Sequence, residues 1–150
     1  REELQRSAAD IPNLRFLDYF PASELRHVLE AGDIHIVSIK PGLEGLVVPS
    51  KLYSSLSAGR PVLAAAPATS DVAVIVGAER CGVVVEPSNS GAIAHAISEL
   101  AGDPARLKAM GEASSNASVK YARDRELAKL VELVEKVAET GDSAKNREVN

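Results

Sequence analysis

The residues with the most chemical promise lie close together: Glu44, Gly45, Leu46, Lys51 and Ser54. Glu44 sits in the stretch Lys40-Pro41-Gly42-Leu43-Glu44-Gly45, whose Pro and Gly exclude regular structure. A carboxylate in such a loop can accept two hydroxyls of a sugar. The backbone N–H groups of Gly45 and Leu46 can donate to the same ligand. Ser50 and Lys51 follow at an expected helix start, where unpaired N–H groups and the macrodipole attract anions and Lys51 adds a positive charge. Ser54 and Ser55 lie on the same short helix. Either can meet a ligand hydroxyl, or simply be small enough for close helix–sheet packing. The bland alternatives are a solvated loop glutamate and a capping serine before a surface lysine. Thr69, Ser70 and Asp71 form a second helix start, better read as a plain cap because Asp71 would repel a phosphate.

Other chemistries find little support. His27, His35 and His95 are scattered and have no metal-ligand spacing, so no metal site is expected, and His35 reads as a hydrogen-bonded core histidine. Cys81 has no C-x-x-C partner and reads as a small buried hydrophobe in a reducing compartment. The two commonest nucleotide signatures, G-x-G-x-x-G and G-x-x-x-x-G-K-[ST], are absent. A net charge of -4 without a basic run, and only 3% aromatic residues, argue against nucleic-acid binding. The longest apolar runs fall short of the about eighteen residues of a membrane span. No cofactor and no catalytic side chain are expected within these residues.

The elements that must position the site can be read from pattern. The 150 residues suit one domain, and 45% apolar content with no Trp implies an aliphatic core. Arg1 to Ala9 reads as the end of a helix, with no Met and no preceding strand, so the chain is expected to be a piece of a longer protein. Leu14 to Phe20 alternates and predicts a short strand. Ser23 can cap a helix from Glu24 to Ala31, closed at Gly32. Ile34 to Ile39 is apolar on both faces, as a central parallel strand would be.

Ser50 is expected to cap a helix over 51–58, stopped by Gly59, and Val62 to Ala66 is the next strand. Ser70 caps a helix over 71–78, and Cys81 to Pro87 is a further strand. A helix opened by Ser88-Asn89-Ser90 carries Ile93, Ala94, Ile97 and Leu100 on one face. Asp103 and Pro104 start another, whose buried face is predicted at Leu107, Met110 and Ala113. Leu127, Leu130, Val131, Val134 and Val137 form the stripe of a helix over 123–140. Residues 1–140 are expected to make one domain and 141–150 a polar tail. The alternation predicts an α/β, Rossmann-like parallel sheet with helices on both faces, ligands lying beyond the strand carboxyl ends.

A resemblance sharpens this. Glu44-Gly45 through Ser57-Ala58-Gly59-Arg60-Pro61-Val62-Leu63-Ala64 resembles the donor-binding, carboxyl-terminal half of GT-B glycosyltransferases, most like the family 4 retaining enzymes of glycosyl transferases group 1. Their hallmark is a glutamate followed by Gly, a second glutamate on a short helix, then A-A-G-x-P-V. Asn13 to Leu17, Ala31-Gly32-Asp33-Ile34, Ser70 to Ala73, Cys81 to Val85, Asp103-Pro104 and Met110-Gly111 are similar to further family segments in the same order. Val48 to Tyr53 looks like the subgroup acting in bacterial surface polysaccharide assembly.

The resemblance implies that Glu44 holds donor-sugar hydroxyls and that Gly45 and Leu46 face the donor sugar or its phosphate. Ser54 stands where the family places its second, ribose-binding glutamate, and the spacing from Glu44 is longer than the family's. Implied partners are a nucleotide-diphosphate sugar and, through the missing amino-terminal half, a glycan or lipid-linked acceptor. The parent would be a cytoplasmic hexosyltransferase, peripheral at the inner face of the membrane, and the piece alone would be inactive. Two rivals stay open: a non-catalytic α/β binding or interaction module, and a nucleotide-sugar epimerase of the same fold.

Overall fold

The computed structural model describes residues 2–47 and 49–145. Its elements alternate: helix α1 (Glu2–Ser7), helix α2 (Leu25–Glu30), strand β1 (His35–Ser38), helix α3 (Ser50–Ser57), strand β2 (Val62–Ala65), helix α4 (Asp71–Glu79) and strand β3 (Gly82–Val85). Helices α5 (Ser90–Ala101), α6 (Pro104–Lys120) and α7 (Arg123–Lys145) follow. Among the described residues three strands form one parallel sheet in the order β1-β2-β3, with His35 opposite Val62 and Val62 opposite Gly82.

Alternation along β2 builds the core in two layers. Val62, Ala64 and Ala66 face α3 and α4, joined by Val37, Leu52, Leu56, Val72, Val76 and Cys81. Leu63 and Ala65 face α5, meeting Ile93, Ala96 and Ile97. Every residue of β2 is buried, as a strand covered on both faces should be. On α3 the inward positions Leu52, Ser55 and Leu56 recur at i, i+3, i+4. The fold is the expected α/β sheet with helices on both faces.

Several local expectations hold. The Ser70 hydroxyl caps α4 by accepting from Ala73 N–H, and the Asp103 carboxylate caps α6 at Arg106 N–H. Asn89 caps α5. Gly59 ends α3 at φ +63, a left-handed position that glycine adopts without strain. Cys81 is fully buried, and desolvation pushes its thiol up.

Others are corrected. Leu14 to Phe20 forms no strand. The sheet ends at β1, so the segment has no ladder to join, and Leu14, Phe16, Leu17 and Tyr19 are exposed. β1 is therefore an edge strand rather than a central one, and Ile36 is 50% exposed. Ser23 does not cap α2: Glu24 holds that position without a side-chain bond. Pro49 is the N-cap of α3, and Ser50 is its first helical residue. Helix α6 runs through Gly111 and the stretch 114–118. Its buried residues are Gly111, Ser114 and Ala117 rather than Leu107 and Met110, because it crosses close to backbone. The Ser114 hydroxyl donates to Arg60 O at 2.8 Å, beside the start of β2.

The α7 stripe correctly marks a helix, but its side chains Leu127, Leu130, Val131 and Val134 are exposed. Of the expected tail, 141–145 continue α7, and 146–150 lie outside the described residues.

At the far end of α4 the Glu79 carboxylate accepts from Lys120 Nζ and, at 3.0 Å, from Tyr121 Oη. The Lys120 bond, with the Tyr121 bond, holds Glu79 below the usual carboxylate range. A lowered folded-state pKa means the stabilisation is present above the ordinary carboxylate range and is lost as pH falls through the lowered value. Lys120 is 60% exposed, so the pair is screened by solvent and contributes little. Thermal midpoints of Glu79→Gln and the parent chain should differ slightly at neutral pH and converge in acid. A gap that persists in acid would contradict this.

Candidate functional site

The loop after β1 is built from two turns. Leu43 N–H donates to Lys40 O at 3.2 Å, and Leu46 N–H donates to Leu43 O at 3.2 Å. Each turn has a glycine at its third position, Gly42 at φ +83 and Gly45 at φ +75. Pro41 and Glu44 hold the second positions, so each turn has the type II signature. A Cβ added at either glycine would meet nothing within 4 Å. Conformation, not crowding, therefore calls for glycine there. One expectation is corrected here: the Leu46 N–H is used within the turn, while its side chain is 78% exposed.

Glu44 is half-buried at its turn corner. Among the described residues its carboxylate has no hydrogen-bond or ion-pair partner, which leaves both oxygens able to accept ligand hydroxyls. The chain then reaches α3, where Lys51 is exposed in the first turn. Lys51 and Ser54 line one cleft of about 440 Å³ between α2, β1 and α3, with Leu29, His35 and Ser55. The structure thus brings Lys51 and Ser54 together. Glu44, Gly45 and Leu46 are not among that cleft's lining residues, and stand instead in the loop at the β1 carboxyl end.

The hydroxyls of α3 are engaged. Ser54 Oγ donates to Ser50 O at 3.2 Å and Ser55 Oγ donates to Lys51 O at 2.8 Å. This backbonding is common for serine inside helices. His35 Nδ1 lies 2.8 Å from Ser55 Oγ, and its Nε2 lies 2.8 Å from Leu29 O. His35 is therefore the hydrogen-bonded histidine expected of it, but its coupling to Ser55 is not visible in sequence. The two stand twenty positions apart on different elements, and no local pattern links them. The loop after β2 holds a plain cap: Ser70 N–H donates to Pro67 O at 2.9 Å, and the Ser70 hydroxyl serves Ala73.

Among the described residues no cluster of His, Cys, Asp and Glu could hold a metal ion, and no helix is long and apolar enough to cross a membrane.

Comparison with known proteins agrees with the fold. The family model for glycosyl transferases group 1 matches residues 1–103. The probable glycosyltransferase WbjE of Pseudomonas aeruginosa is 32% identical over 87 residues, covering 58% of this chain and 22% of that protein. The exopolysaccharide phosphotransferase SCO2592 of Streptomyces coelicolor is 31% identical over 99 residues, covering 66% of this chain and 10% of that protein. Sucrose-phosphate synthase from Thermosynechococcus elongatus superposes with a TM-score of 0.72 at 18% identity, over 93% of this chain and 34% of that one. The chain spans about a fifth or less of the length of the two sequence relatives.

Proposed function

Because the chain belongs to the glycosyl transferases group 1 family, we propose that residues 1–140 are the donor-binding, carboxyl-terminal part of a longer glycosyltransferase. The parent transfers a hexose, with retention, from a nucleotide-diphosphate sugar to a glycan or lipid-linked acceptor in surface polysaccharide assembly. It works in the cytoplasm, peripheral to the membrane where a lipid-linked acceptor is met. The name of one bacterial relative, a probable glycosyltransferase, supports sugar transfer, and that of the other, an exopolysaccharide phosphotransferase, supports a role in sugar polymers.

The observation that carries the reading is Glu44, half-buried on a glycine turn at the carboxyl end of β1, its carboxylate without a protein partner among the described residues. Ligands of doubly wound sheets bind beyond strand carboxyl ends. Glu44 accepts the sugar hydroxyls and fixes the ring. Lys51, in the first turn of α3, offers a positive charge to the diphosphate as it departs. Positioning and stabilisation of the leaving group are then the main contributions of this half. No side chain here acts as a base.

A second reading, a binding module without turnover, is favoured by one feature. Ser54 occupies the place of the family's second glutamate, and its hydroxyl is bonded to Ser50 O.

Titration of the longer protein with a panel of uridine and guanosine diphosphate hexoses separates the two. One donor should saturate, and Glu44→Ala should weaken it about tenfold to a hundredfold, the worth of hydrogen bonds to a charged group. No saturable binding to any of the panel would overturn the donor reading in favour of the binding module.

A further inference from the structure

His35 reaches from β1 to two helices at once. Its Nε2 lies 2.8 Å from the carbonyl of Leu29 on α2, and its Nδ1 lies 2.8 Å from Ser55 Oγ on α3. Ser55, only 2% exposed, also lies 2.8 Å from the carbonyl of Lys51 one turn earlier. Gly32 leaves space for the ring: a Cβ there would stand 3.2 Å from Nε2.

The protons in this chain of contacts can be counted. Both ends are carbonyls, which only accept. Nε2 must carry a proton for Leu29 O, and the Ser55 hydroxyl must direct its proton to Lys51 O. The middle contact, Nδ1 to Oγ, then holds a proton only if Nδ1 carries one too. A neutral imidazole and one hydroxyl supply two protons for three contacts, and an imidazolium supplies the third. With the ring neutral, the Ser55 hydroxyl must serve either Nδ1 or Lys51 O.

We propose that His35 and Ser55 are positioning residues for Lys51, acting as a proton-completed relay that fixes the first turn of α3 against β1 and α2. Its consequence for donor binding rests on the donor reading above; the relay itself does not. With the ring protonated all three contacts are made, and the turn carrying Lys51 is held. With the ring neutral one contact is released, and that turn loosens. Donor affinity through Lys51 is therefore higher with the ring protonated than with it neutral.

The titratable groups on the elements packed against His35 are Arg26, His27 and Glu30 of α2, Lys51 and Tyr53 of α3, and Asp33 and Arg60 in the flanking turns. Arg60 donates to Glu30 O, Arg26 pairs with Glu30, and Lys51 lines the same cleft as the ring.

Side-chain nitrogen NMR of the chain tests the relay between about pH 8 and pH 5, with the His35 signals identified by their loss in His35→Asn. At high pH the proton should sit on Nε2 alone. At low pH a second, slowly exchanging N–H should appear on Nδ1, and Ser55→Ala should speed its exchange at least about tenfold, as loss of a hydrogen bond exposes it. A high-pH ring protonated on Nδ1, or exchange indifferent to Ser55→Ala, would overturn the relay.

In the longer protein, affinity for the hexose donor that saturates it should rise about threefold to tenfold over the same fall in pH, the size of one hydrogen bond. His35→Asn, which keeps an amide beside Ser55 but does not titrate, should flatten that profile. A profile unchanged by His35→Asn would overturn the role toward Lys51. Absence of donor binding at every pH would overturn the donor reading and that role together, with the imidazole spectra still deciding the relay.

Discussion

Gly82→Ala should lower the thermal midpoint of the chain by about 6–12 °C, while Gly77→Ala should raise it slightly. The two substitutions add the same methyl group in opposite surroundings. Gly82 opens β3 directly opposite Val62 of β2, and a Cβ there would lie 1.8 Å from Val62 O and 2.7 Å from Val62 C. Those are backbone atoms of the most buried strand, so relief requires β2 and β3 to separate or slip. Overpacking of this kind costs about 3 kcal/mol or more.

Gly77 lies on the exposed side of α4, where a Cβ would meet nothing within 4 Å. Alanine there limits the unfolded chain and improves helix propensity, worth about 0.5–1 kcal/mol. Thermal denaturation of both variants beside the parent chain checks the pair. A Gly82→Ala midpoint equal to the parent's would mean that the β2–β3 junction is more open than described.

What the sequence made legible divides along a physical line. Features decided within a few residues are readable. Ser70 and Asp103 cap their helices because a side-chain oxygen needs only the N–H three positions on. Gly59 closes α3 because the left-handed turn is a local demand. The loop around Glu44 is legible for the same reason, since Pro41, Gly42 and Gly45 break regular structure locally.

Features decided by a partner far along the chain are not. Leu14 to Phe20 alternates like a strand, yet a strand exists only beside another, and the sheet stops at β1. The stripe of α7 marks a helix correctly, but periodicity cannot say whether the face is covered. Helix α6 buries Gly111, Ser114 and Ala117 instead of its larger apolar residues because its neighbour is backbone: a Cβ at Gly111 would lie 2.8 Å from Gly59 O. The site follows the same division. Glu44, Gly45, Lys51 and Ser54 are candidates that local type and spacing single out. The engagement of Leu46 N–H within its turn and the contact of His35 with Ser55 required the fold.

Leu52→Ala should destabilise the chain by about 3 kcal/mol and, if the proposed donor reading holds, weaken donor binding in the longer protein. Leu52 is 1% exposed and follows Lys51 directly in the first turn of α3. It plugs that turn into the core layer shared by Val37, Val62 and Val72. Truncation removes buried methyl groups and leaves a cavity beneath the turn, and rigid surroundings keep most of that cost.

The comparison that isolates the effect is Leu130→Ala on α7. It removes the same atoms from a side chain 54% exposed, so the chain's stability should change by no more than about 0.5 kcal/mol. Urea denaturation of both variants reads the stability difference. Donor titration then separates positioning from global stability. If α3 holds Lys51 in place through Leu52, Leu52→Ala weakens donor binding at urea-free temperatures where the chain is still fully folded. An undiminished affinity in the folded variant would mean that the first turn of α3 is fixed by the His35–Ser55 contacts alone and that Leu52 serves stability only.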